Sequence, residues 1–217
     1  MDFKVVNDVS IELIDHMGSD LSVVNAARVS FDKWHDAFDE EQDYRLIKYL
    51  AKHGHWSPFA HTSISLRCKV PMFLARQLVK HQVGLTWNEV SRRYTTDNIE
   101  FYVPPVLHSK ADNVKQGCGV ELVDGGTLEE LRYSTERAFM SYNWLLDQGV
   151  APEEARMVLP MNLMTTFIWT GSLYAFWRVY KLRIDTHAQK IAQSFAEKLY
   201  VELDRVYPYC VQALIAV

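Results

Sequence analysis

The sequence lacks the motifs that mark the common classes of nucleotide-binding enzyme. Its nine glycines are scattered, and neither GxGxxG nor GxxxxGK(S/T) occurs, so a Rossmann fingerprint and a P-loop are not predicted. The nucleophile elbow GxSxG is also missing. The three cysteines, Cys68, Cys118 and Cys210, form no CxxC pair, which argues against a disulfide framework or a zinc ribbon. Any phosphate-binding site must therefore use side chains rather than a glycine-rich loop.

An excess of positive charge and a long apolar run are missing as well. The net charge is −4 and the pI is about 6.1, whereas nucleic-acid-binding domains are usually strongly basic, so no nucleic-acid partner is predicted. The most apolar stretch, residues 157–177, is interrupted by Pro160, Asn162 and Gly171 and predicts buried structure rather than a membrane span. Without a signal-peptide pattern in residues 1–10, a cytoplasmic location away from membranes is the expectation.

The remaining composition is typical of a globular domain. The chain has 217 residues, of which 48% are apolar and 23% charged, and residues 1–217 are interpreted as one domain. Helical patterns and a few separated strands occur without regular strand–helix alternation, which predicts an α+β fold with a small, mostly antiparallel sheet packed with several long helices. Strands are predicted at residues 3–8, 9–16 and 62–70, and helices near residues 20–30, 40–53, 71–81, 127–149 and 185–206.

Local signals define some of the boundaries. Asp39 with Gln42 forms a capping pattern before the helix at 40–53, and Gly54 follows that helix as a stop signal. Residues 107–126 carry little periodicity and are interpreted as a surface loop or an insertion.

The densest group of polar side chains lies in residues 76–94, RQLVKHQVGLTWNEVSRRY. On the predicted helix, Arg76 and Lys80 share one face, and Gln77 and His81 share another. In a chain of negative net charge, such a local group of cations suits a small anion better than a long duplex.

The second half of this stretch, NEVSRRY, is predicted to be extended, so that Glu89, Ser91 and Arg93 project to one side. A carboxylate, a hydroxyl and a guanidinium in a row can bind a sugar hydroxyl, a ring amide and a phosphate. An exposed strand with salt bridges is the alternative. The interleaved Trp87 and Tyr94 indicate partial burial, and buried charges need partners, for which a ligand is a natural choice.

Three histidines, His53, His55 and His61, form the group that could bind a metal ion. Against a metal site, His53 ends a predicted helix, where a histidine interacts well with the helix dipole, and Gly54 separates it from His55. No carboxylate or cysteine lies nearby in the sequence. Histidines in a helix cap and a loop are therefore preferred, and a metal-dependent nucleotide hydrolase stays open as an alternative.

Two arginines outside this region, Arg156 and Arg183, lie where a predicted helix meets apolar sequence. An isolated arginine in such a place is usually part of a structural ion pair, for example between Arg183 and Asp185. If both arginines meet residues 76–94, they would complete a pocket for a phosphate or an anionic heterocycle. The spacing along the chain leaves both interpretations open.

Six sequence blocks occur together in a recognisable order: AARVSF at 26–31, GHWSPFAH at 54–61, RQ at 76–77, NEVSRRY at 88–94, ARMVLPMNL at 155–163 and LRIDTHAQ at 182–189. In these blocks the chain resembles the flavin-dependent thymidylate synthases. The resemblance implies reductive methylation of dUMP to dTMP, with 5,10-methylenetetrahydrofolate as one-carbon donor and FAD reduced by NADPH. It also implies a homotetramer whose active sites combine residues of several subunits.

The resemblance further implies the residues of each site. The dUMP site would consist of Gln77, Lys80, Glu89, Ser91, Arg93, Arg156 and Arg183. Arg183 would be catalytic, because it matches the arginine thought to favour ionisation at N3 of the uracil ring. The FAD site would consist of Ser30, His55, Ser57, Lys80, His81, Gln82, Asn88, Glu89, Ser172, Arg178 and His187.

The chain departs from the family signature at several positions. Lys80-His81-Gln82 replaces Arg-His-Arg, and the spacing from there to Ser91 is one residue longer. A lysine binds phosphate as a point charge and cannot form the bidentate contact of an arginine. Arg178 stands where the family often has an asparagine. The hypothesis is that the nucleotide site is conventional, that the flavin is held differently, and that Arg178 supplies a lost charge.

These departures leave related activities open as alternatives. An enzyme with the same flavin and folate could act on another pyrimidine nucleotide or install a hydroxymethyl group. The family is thought to need no cysteine nucleophile, and Cys68, on the apolar face of a predicted strand, agrees with that mechanism.

Overall fold

Helices packed on an antiparallel sheet make up the fold of the computed structural model, which describes residues 4–111, 117–122 and 125–217. The strands are β1 (Lys4–Val6), β2 (Ser10–Met17), β3 (Ser63–Pro71), β4 (Leu85–Glu89), β5 (Glu100–Tyr102), β6 (Leu107–Lys110), β7 (Cys118–Leu122) and β8 (Met164–Gly171). The helices are α1 (Asp20–Arg28), α2 (Gln42–Lys52), α3 (Met72–Leu78), α4 (Gly125–Asp147), α5 (Pro152–Ala155), α6 (Leu173–Arg183), α7 (Lys190–Val206) and α8 (Pro208–Ile215). This architecture confirms the predicted α+β class.

The central sheet has the strand order β2, β3, β8, β4, and each neighbouring pair is antiparallel. Strands β1 and β5 form a separate parallel pair, and β6 and β7 an antiparallel one. Because β8 lies between β3 and β4, it brings residues 164–171 beside residues more than seventy positions earlier in the chain. This arrangement decides which polar side chains can meet at the end of the sheet.

The main core lies on one face of this sheet. Strand β3 alternates as predicted, with Ile64, Leu66, Cys68 and Val70 fully buried. Phe195 and Leu199 of α7 belong to the same buried cluster, together with Phe167 and Trp169 of β8. Burying side chains of this size contributes roughly 1.5–3 kcal/mol each, so this face supplies much of the stability of the fold.

A smaller apolar cluster lies beneath α4. Its buried members include Phe101 of β5, Phe139 and Tyr142 of α4, and Ala155 of α5. Asn162 links β5 to α4, because its amide nitrogen donates to the backbone oxygen of Tyr102 at 2.9 Å and to the hydroxyl of Thr135 at 3.0 Å. No helix among the described residues is long and apolar enough to cross a membrane.

Of the two predicted boundary signals of α2, the stop at Gly54 is confirmed, whereas the start is wrong by two residues, because α2 begins at Gln42 and its N-cap is Glu41 rather than Asp39. The Asp39 carboxylate accepts hydrogen bonds from the backbone amides of Glu41 and Gln42 at 3.0 and 2.8 Å. After the helix, Gly54 adopts φ +68°, a left-handed conformation that glycine tolerates at a helix end.

Other predicted boundaries are wrong. Helix α3 ends at Leu78 instead of near His81, and α7 begins at Lys190 instead of near Asp185. The residues before α7 form a turn in which the amide of Ala188 donates to the oxygen of Asp185. Helices α6 and α8 were not predicted, because the apolar and polar residues of their sequences show no clear helical period.

The interpretation of residues 107–126 as a loop is also wrong for the described part of that region. Strands β6 and β7 pair there as an antiparallel hairpin, with Leu107 opposite Leu122 and His108 opposite Glu121. Helix α4 already begins at Gly125. Residues 112–116 and 123–124 lie outside the described part of the chain.

Candidate active site

Four of the predicted site residues line one cavity of about 840 Å³, which lies between α3, α6 and the turn before α7. These residues are Gln77, Lys80, Arg183 and His187. Arg76 and Lys181 add further positive charge, and among the described residues of the lining Asp185 is the one carboxylate. The volume falls within the range of about 300–1,000 Å³ usual for small-molecule sites. This space is called the cationic cavity, and its charge favours an anionic ligand.

Arg183 is held in the cationic cavity by His81. Its Nε and one terminal nitrogen lie 3.2 and 2.9 Å from the Nε2 atom of His81, which therefore accepts both hydrogen bonds. Burial and the nearby charges of Arg183 and Arg178 lower the pKa of His81 and favour the neutral ring that such an acceptor requires. Sequence reasoning assigned His81 to the flavin and did not predict this contact.

The suggested ion pair between Arg183 and Asp185 is wrong. Asp185 interacts with His187 instead, because its Oδ1 accepts from the His187 backbone amide at 2.8 Å and lies 3.0 Å from Nδ1. These bonds lower the pKa of Asp185. Gln77 donates from Nε2 to Oε1 of Gln189 at 2.8 Å, which links α3 to the same turn.

A second group of predicted residues lies apart from the cationic cavity. Glu89, Ser91 and Arg156 line a separate space of about 400 Å³, which is called the Glu89 cavity. Arg156 donates from Nε to the backbone oxygen of Glu153 at 3.1 Å, and its side chain is exposed. The single chain therefore places three of the predicted dUMP residues in the cationic cavity and three in the Glu89 cavity, whereas Arg93 lines neither.

The predicted extended conformation of NEVSRRY is wrong beyond Glu89, where β4 ends. Residues 91–94 form a turn in which the amide of Tyr94 donates to the oxygen of Ser91 at 3.0 Å. Arg93 still lies near Ser91, with Nε 3.3 Å from Oγ, but the turn rather than strand alternation brings them together. Arg92 fixes the following loop by donating to the backbone oxygens of Asp97 and Asn98 at 2.6 and 3.3 Å.

The residues predicted for the flavin are spread over several elements. Ser30 is exposed in the short 3₁₀ helix Val29–Phe31, and His55 and Ser57 are exposed after α2. Ser172 precedes α6 and accepts a hydrogen bond from the backbone amide of Ala175 at 3.3 Å. Gln82 is exposed beyond α3. These residues therefore come from the 3₁₀ helix after α1, the segment after α2, the end of α3 and the start of α6.

Asn88 lies on the opposite face of β4 from Glu89. It lines a third cavity of about 750 Å³ on the outer face of the sheet, together with Arg67 and Lys69. Glu89 lines this cavity as well. The two neighbours therefore share it, although strand alternation directs their side chains to opposite faces of β4, and only Glu89 also lines the Glu89 cavity.

A network of hydrogen bonds and ion pairs holds the segment that carries Ser30, and it was not predicted from the sequence. This network, made of Asn25, Arg28, His35 and Asp43, is called the brace. Arg28 donates to Oδ1 of the buried Asp43 at 2.7 Å, and Nδ1 of His35 lies 3.1 Å from the same carboxylate. Asn25 exchanges two hydrogen bonds with the His35 backbone at 2.8 and 2.9 Å. Although burial opposes it, the pKa of Asp43 is lowered by the amide of Asp39 and by Arg28 and His35.

The histidine group predicted as a metal-site alternative does not converge. The rings of His53 and His55 lie 6.5 Å apart and contact Tyr49, whereas His61 lines a different cavity beside Trp34. Within residues 4–111, 117–122 and 125–217, no group of three or more His, Cys, Asp or Glu side chains could hold a metal ion.

The cysteines differ in their accessibility. Cys68 and Cys210 are buried, and burial raises the pKa of both thiols. Cys118 is exposed and lines the cationic cavity from β7. The hairpin that places it there was not predicted, so its position could not be found from the sequence.

Comparisons with known proteins place the chain in a family. A family described as Thymidylate synthase complementing protein matches residues 12–209. A flavin-dependent thymidylate synthase of Thermotoga neapolitana is 38% identical over 216 residues, which cover 99% of this chain and 94% of the relative. One from Thermosipho africanus is 38% identical over 199 residues, 90% of this chain and 86% of the relative.

Solved structures agree with this placement. The UMP/dUMP methylase PolB from Streptomyces cacaoi, bound with 5-Br dUMP, has a TM-score of 0.88 and 30% identity, covering 99% of this chain and 97% of that one. Its structure bound with 5-Br UMP gives a TM-score of 0.87 with the same coverage. The fold, the matched residues and the relatives lead to one conclusion: the chain belongs to the flavin-dependent thymidylate synthase family.

Proposed function

We propose that this enzyme methylates dUMP to dTMP, with 5,10-methylenetetrahydrofolate as one-carbon donor and FAD reduced by NADPH. The observation that carries the proposal is the cationic cavity, in which a neutral His81 holds the guanidinium of Arg183 beside Gln77. The relatives are named flavin-dependent thymidylate synthases, and a structural neighbour is described as a UMP/dUMP methylase bound with 5-Br dUMP.

The groups in the cationic cavity match the chemistry of dUMP. A phosphate monoester is an anion that Lys80, Arg76 or Lys181 can bind through charge-assisted hydrogen bonds. Arg183 would contact the uracil ring. A fixed guanidinium beside a ring that gains negative charge stabilises that charge more in the transition state than in the ground state. Arg183 is therefore the proposed catalytic residue.

The residues also fit a flavin. The cations of the cationic cavity suit the diphosphate of FAD as well as a nucleotide phosphate. Arg178 lies close enough to His81 for its positive charge to lower the pKa of that histidine. The proposed contacts are Ser30, His55, Ser57, Lys80, His81, Gln82, Asn88, Glu89, Ser172, Arg178 and His187. When bound, reduced FAD supplies the reducing equivalents, and the protein binds and orients the reactants.

The division of the dUMP residues supports an active site shared between subunits. Glu89, Ser91, Arg93 and Arg156 lie around or near the Glu89 cavity, away from Arg183. A second copy of the chain that joined its cationic cavity to this Glu89 cavity would reunite the set. We propose such sites in a homotetramer of single-domain chains, each spanning residues 1–217.

An exposed apolar surface supports this assembly. Tyr133, Met140 and Trp144 lie along one side of α4 and are 55%, 63% and 61% exposed, and Met157 and Met161 beside Arg156 are 79% and 50% exposed. Large exposed apolar patches mark interaction sites in soluble proteins. Because α4 packs against residues 156–158, a second copy of the chain that covered these side chains would also come near Arg156. This set of five residues is called the α4 surface.

The test of the proposal is a spectroscopic turnover experiment on the purified enzyme. The absorption spectrum should contain an oxidised flavin, which NADPH bleaches and which dUMP with 5,10-methylenetetrahydrofolate reoxidises while dTMP forms. Mass analysis of the product separates a methyl from a hydroxymethyl group. A flavin that is bleached and reoxidised without any methylated nucleotide would overturn the proposal.

UMP is a second candidate substrate, because the structural neighbour is described as a UMP/dUMP methylase. The same assay with UMP in place of dUMP compares the two values of kcat/KM directly. We expect dUMP to be preferred.

A further inference from the structure

The carboxylate of Glu89 is held by one hydrogen bond on each oxygen. Oε1 accepts from the hydroxyl of Thr165 at 2.7 Å, and Oε2 accepts from the indole nitrogen of Trp87 at 3.1 Å. Hydrogen bonds to an ionised group are shorter and stronger than neutral ones. Two donors on different oxygens restrict both the position and the plane of the carboxylate, although Glu89 itself is exposed.

Sheet geometry explains why these groups meet. Trp87 and Glu89 are two residues apart on β4 and therefore project from the same face. Trp87 pairs with Trp169 and Glu89 with Phe167 of β8, so Thr165 is the next residue of β8 on that face. Its hydroxyl lies just beyond the last pair of the β4 ladder, beside the Glu89 carboxylate.

Both donors are rigidly placed. Trp87 stacks on Phe167 with ring centroids 3.4 Å apart and an angle of 18°, and it meets Trp169 edge-on at 5.4 Å. Thr165 is 6% exposed, and its branched side chain has few accessible rotamers. The indole cannot turn away from Glu89 without losing its stacking. Neither donor is therefore a chance surface contact.

The indole donor comes from the part of the chain that is one residue longer than the family signature. This segment turns at Gly84, which has φ +75°, and Gly171 allows the close approach, because a Cβ there would lie 2.5 Å from the oxygen of Gly84. The segment then enters β4 with Trp87 facing the aromatic cluster. The longer segment thus supplies a fixed hydrogen-bond donor to a proposed substrate-binding residue.

We propose that Trp87 and Thr165 are positioning residues that orient the Glu89 carboxylate for nucleotide binding. The inference rests on the proposed function for the role of Glu89, but the hydrogen bonds themselves can be tested without activity. In protein labelled with ¹⁵N-tryptophan, the Trp87→Phe variant identifies the Trp87 indole resonance. That resonance should shift upfield in Glu89→Ala, because a bond to a carboxylate is lost. An unchanged resonance would overturn the proposal.

Kinetics of four variants test the positioning role. In Thr165→Val and Trp87→Phe, KM for dUMP should rise about tenfold, the factor expected for one lost hydrogen bond to a charged group. The value of kcat should change much less. Thr165→Ser keeps the hydroxyl and should restore KM. Thr166→Val makes the same change on the other face of β8 and should behave as wild type.

These outcomes separate the positioning role from its alternatives. A merely structural role predicts equal losses in Thr165→Val and Thr165→Ser, together with lower thermal stability, and would contradict the proposal. An unchanged KM in Thr165→Val would contradict it too. If the wild-type enzyme makes no methylated nucleotide, the proposed function fails, while the indole resonance still decides whether the two donors hold Glu89.

Discussion

At the scale of single residues, the pair of His81 and Arg183 gives the site a dependence on pH. The imidazole must be neutral to accept two hydrogen bonds, and burial, Arg183 and Arg178 lower its pKa from the ordinary value of 6.5. A protonated ring would lose the acceptor and would face two like charges. The structure therefore couples the protonation state of one residue to the placement of another.

We expect protonation of His81 to lower the free energy of unfolding in mild acid. The unfolded chain takes up the His81 proton as pH falls through about 6.5, whereas the folded chain takes it up only at lower pH, so the free energy of unfolding falls over that interval. Denaturant titrations at several pH values between 7 and 5 would measure this slope. The variant His81→Gln, which keeps an acceptor but does not titrate, should have a smaller slope, and an equal slope would contradict the assignment.

The cysteines provide a second prediction at this scale. Cys68 and Cys210 are buried with raised pKa values, so their thiolates are disfavoured, and Cys118 is exposed in the cationic cavity. If no thiolate attacks the pyrimidine, Cys118→Ser should keep kcat within about threefold, because a nucleophile would cost several orders of magnitude. Turnover assays measure this. Loss of turnover with an intact flavin spectrum would support covalent attack by Cys118.

At the scale of elements, the brace between α1 and α2 fixes the segment that carries Ser30. Asp43 is fully buried and meets Arg28, His35 and the amide of Asp39. Replacing one member of a buried ion pair leaves the other charge without compensation. The brace is therefore expected to matter for stability as well as for the position of Ser30.

We expect Asp43→Ala to lower the free energy of unfolding by about 3 kcal/mol, the usual magnitude for a broken buried pair. Arg28→Ala should also destabilise the fold. The double variant should be more stable than the sum of the two losses implies, because no unpaired charge remains. Chemical denaturation of all three variants measures this coupling, and strictly additive losses would argue against the brace.

Local sequence patterns predicted some features of the individual elements correctly and failed for others. The alternation in β3 and the glycine at position 54 are local signals, and the structure confirms them. The extended prediction for residues 91–94 failed because a short-range contact folds the chain there. Arg92 binds the carbonyls of Asp97 and Asn98 and folds the chain back, and no spacing in the sequence signals that contact.

At the scale of the whole molecule, two separated cavities and an exposed apolar surface point to an assembly. The proposed homotetramer would bury the α4 surface and complete each site with residues from two chains. Trp144→Glu places a charge on that surface, so we expect it to weaken the assembly and reduce turnover. Sedimentation measures the change, with Val201→Glu as the control, because it places the same charge on a similarly exposed apolar side chain of α7.

Subunit complementation tests the shared site directly. Ser91→Ala and Arg183→Ala change different cavities, so each variant alone should be strongly impaired. Mixed assemblies formed by co-expression should regain part of the turnover, because some sites then combine two unchanged halves. If mixtures of correctly assembled variants stay as inactive as their parents, each site belongs to a single chain.

The sequence by itself determined the α+β class, most of the helices, the alternation of β3 and the set of blocks that carries the family resemblance. Each of these depends on residue type and on spacings of two to four residues, which the backbone imposes wherever the chain folds locally.

Only the tertiary structure decided which functional groups meet. Arg183 contacts His81 across 102 residues of chain, and Thr165 contacts Glu89 across 76. The contact of Thr165 with Glu89 depends on strand order and register, because β8 enters between β3 and β4, whereas the contact of Arg183 with His81 depends on how the end of α6 packs beside the end of α3. A periodic pattern specifies which face a residue occupies but not which distant residue that face will meet, and this is the physical reason the sequence could not determine them.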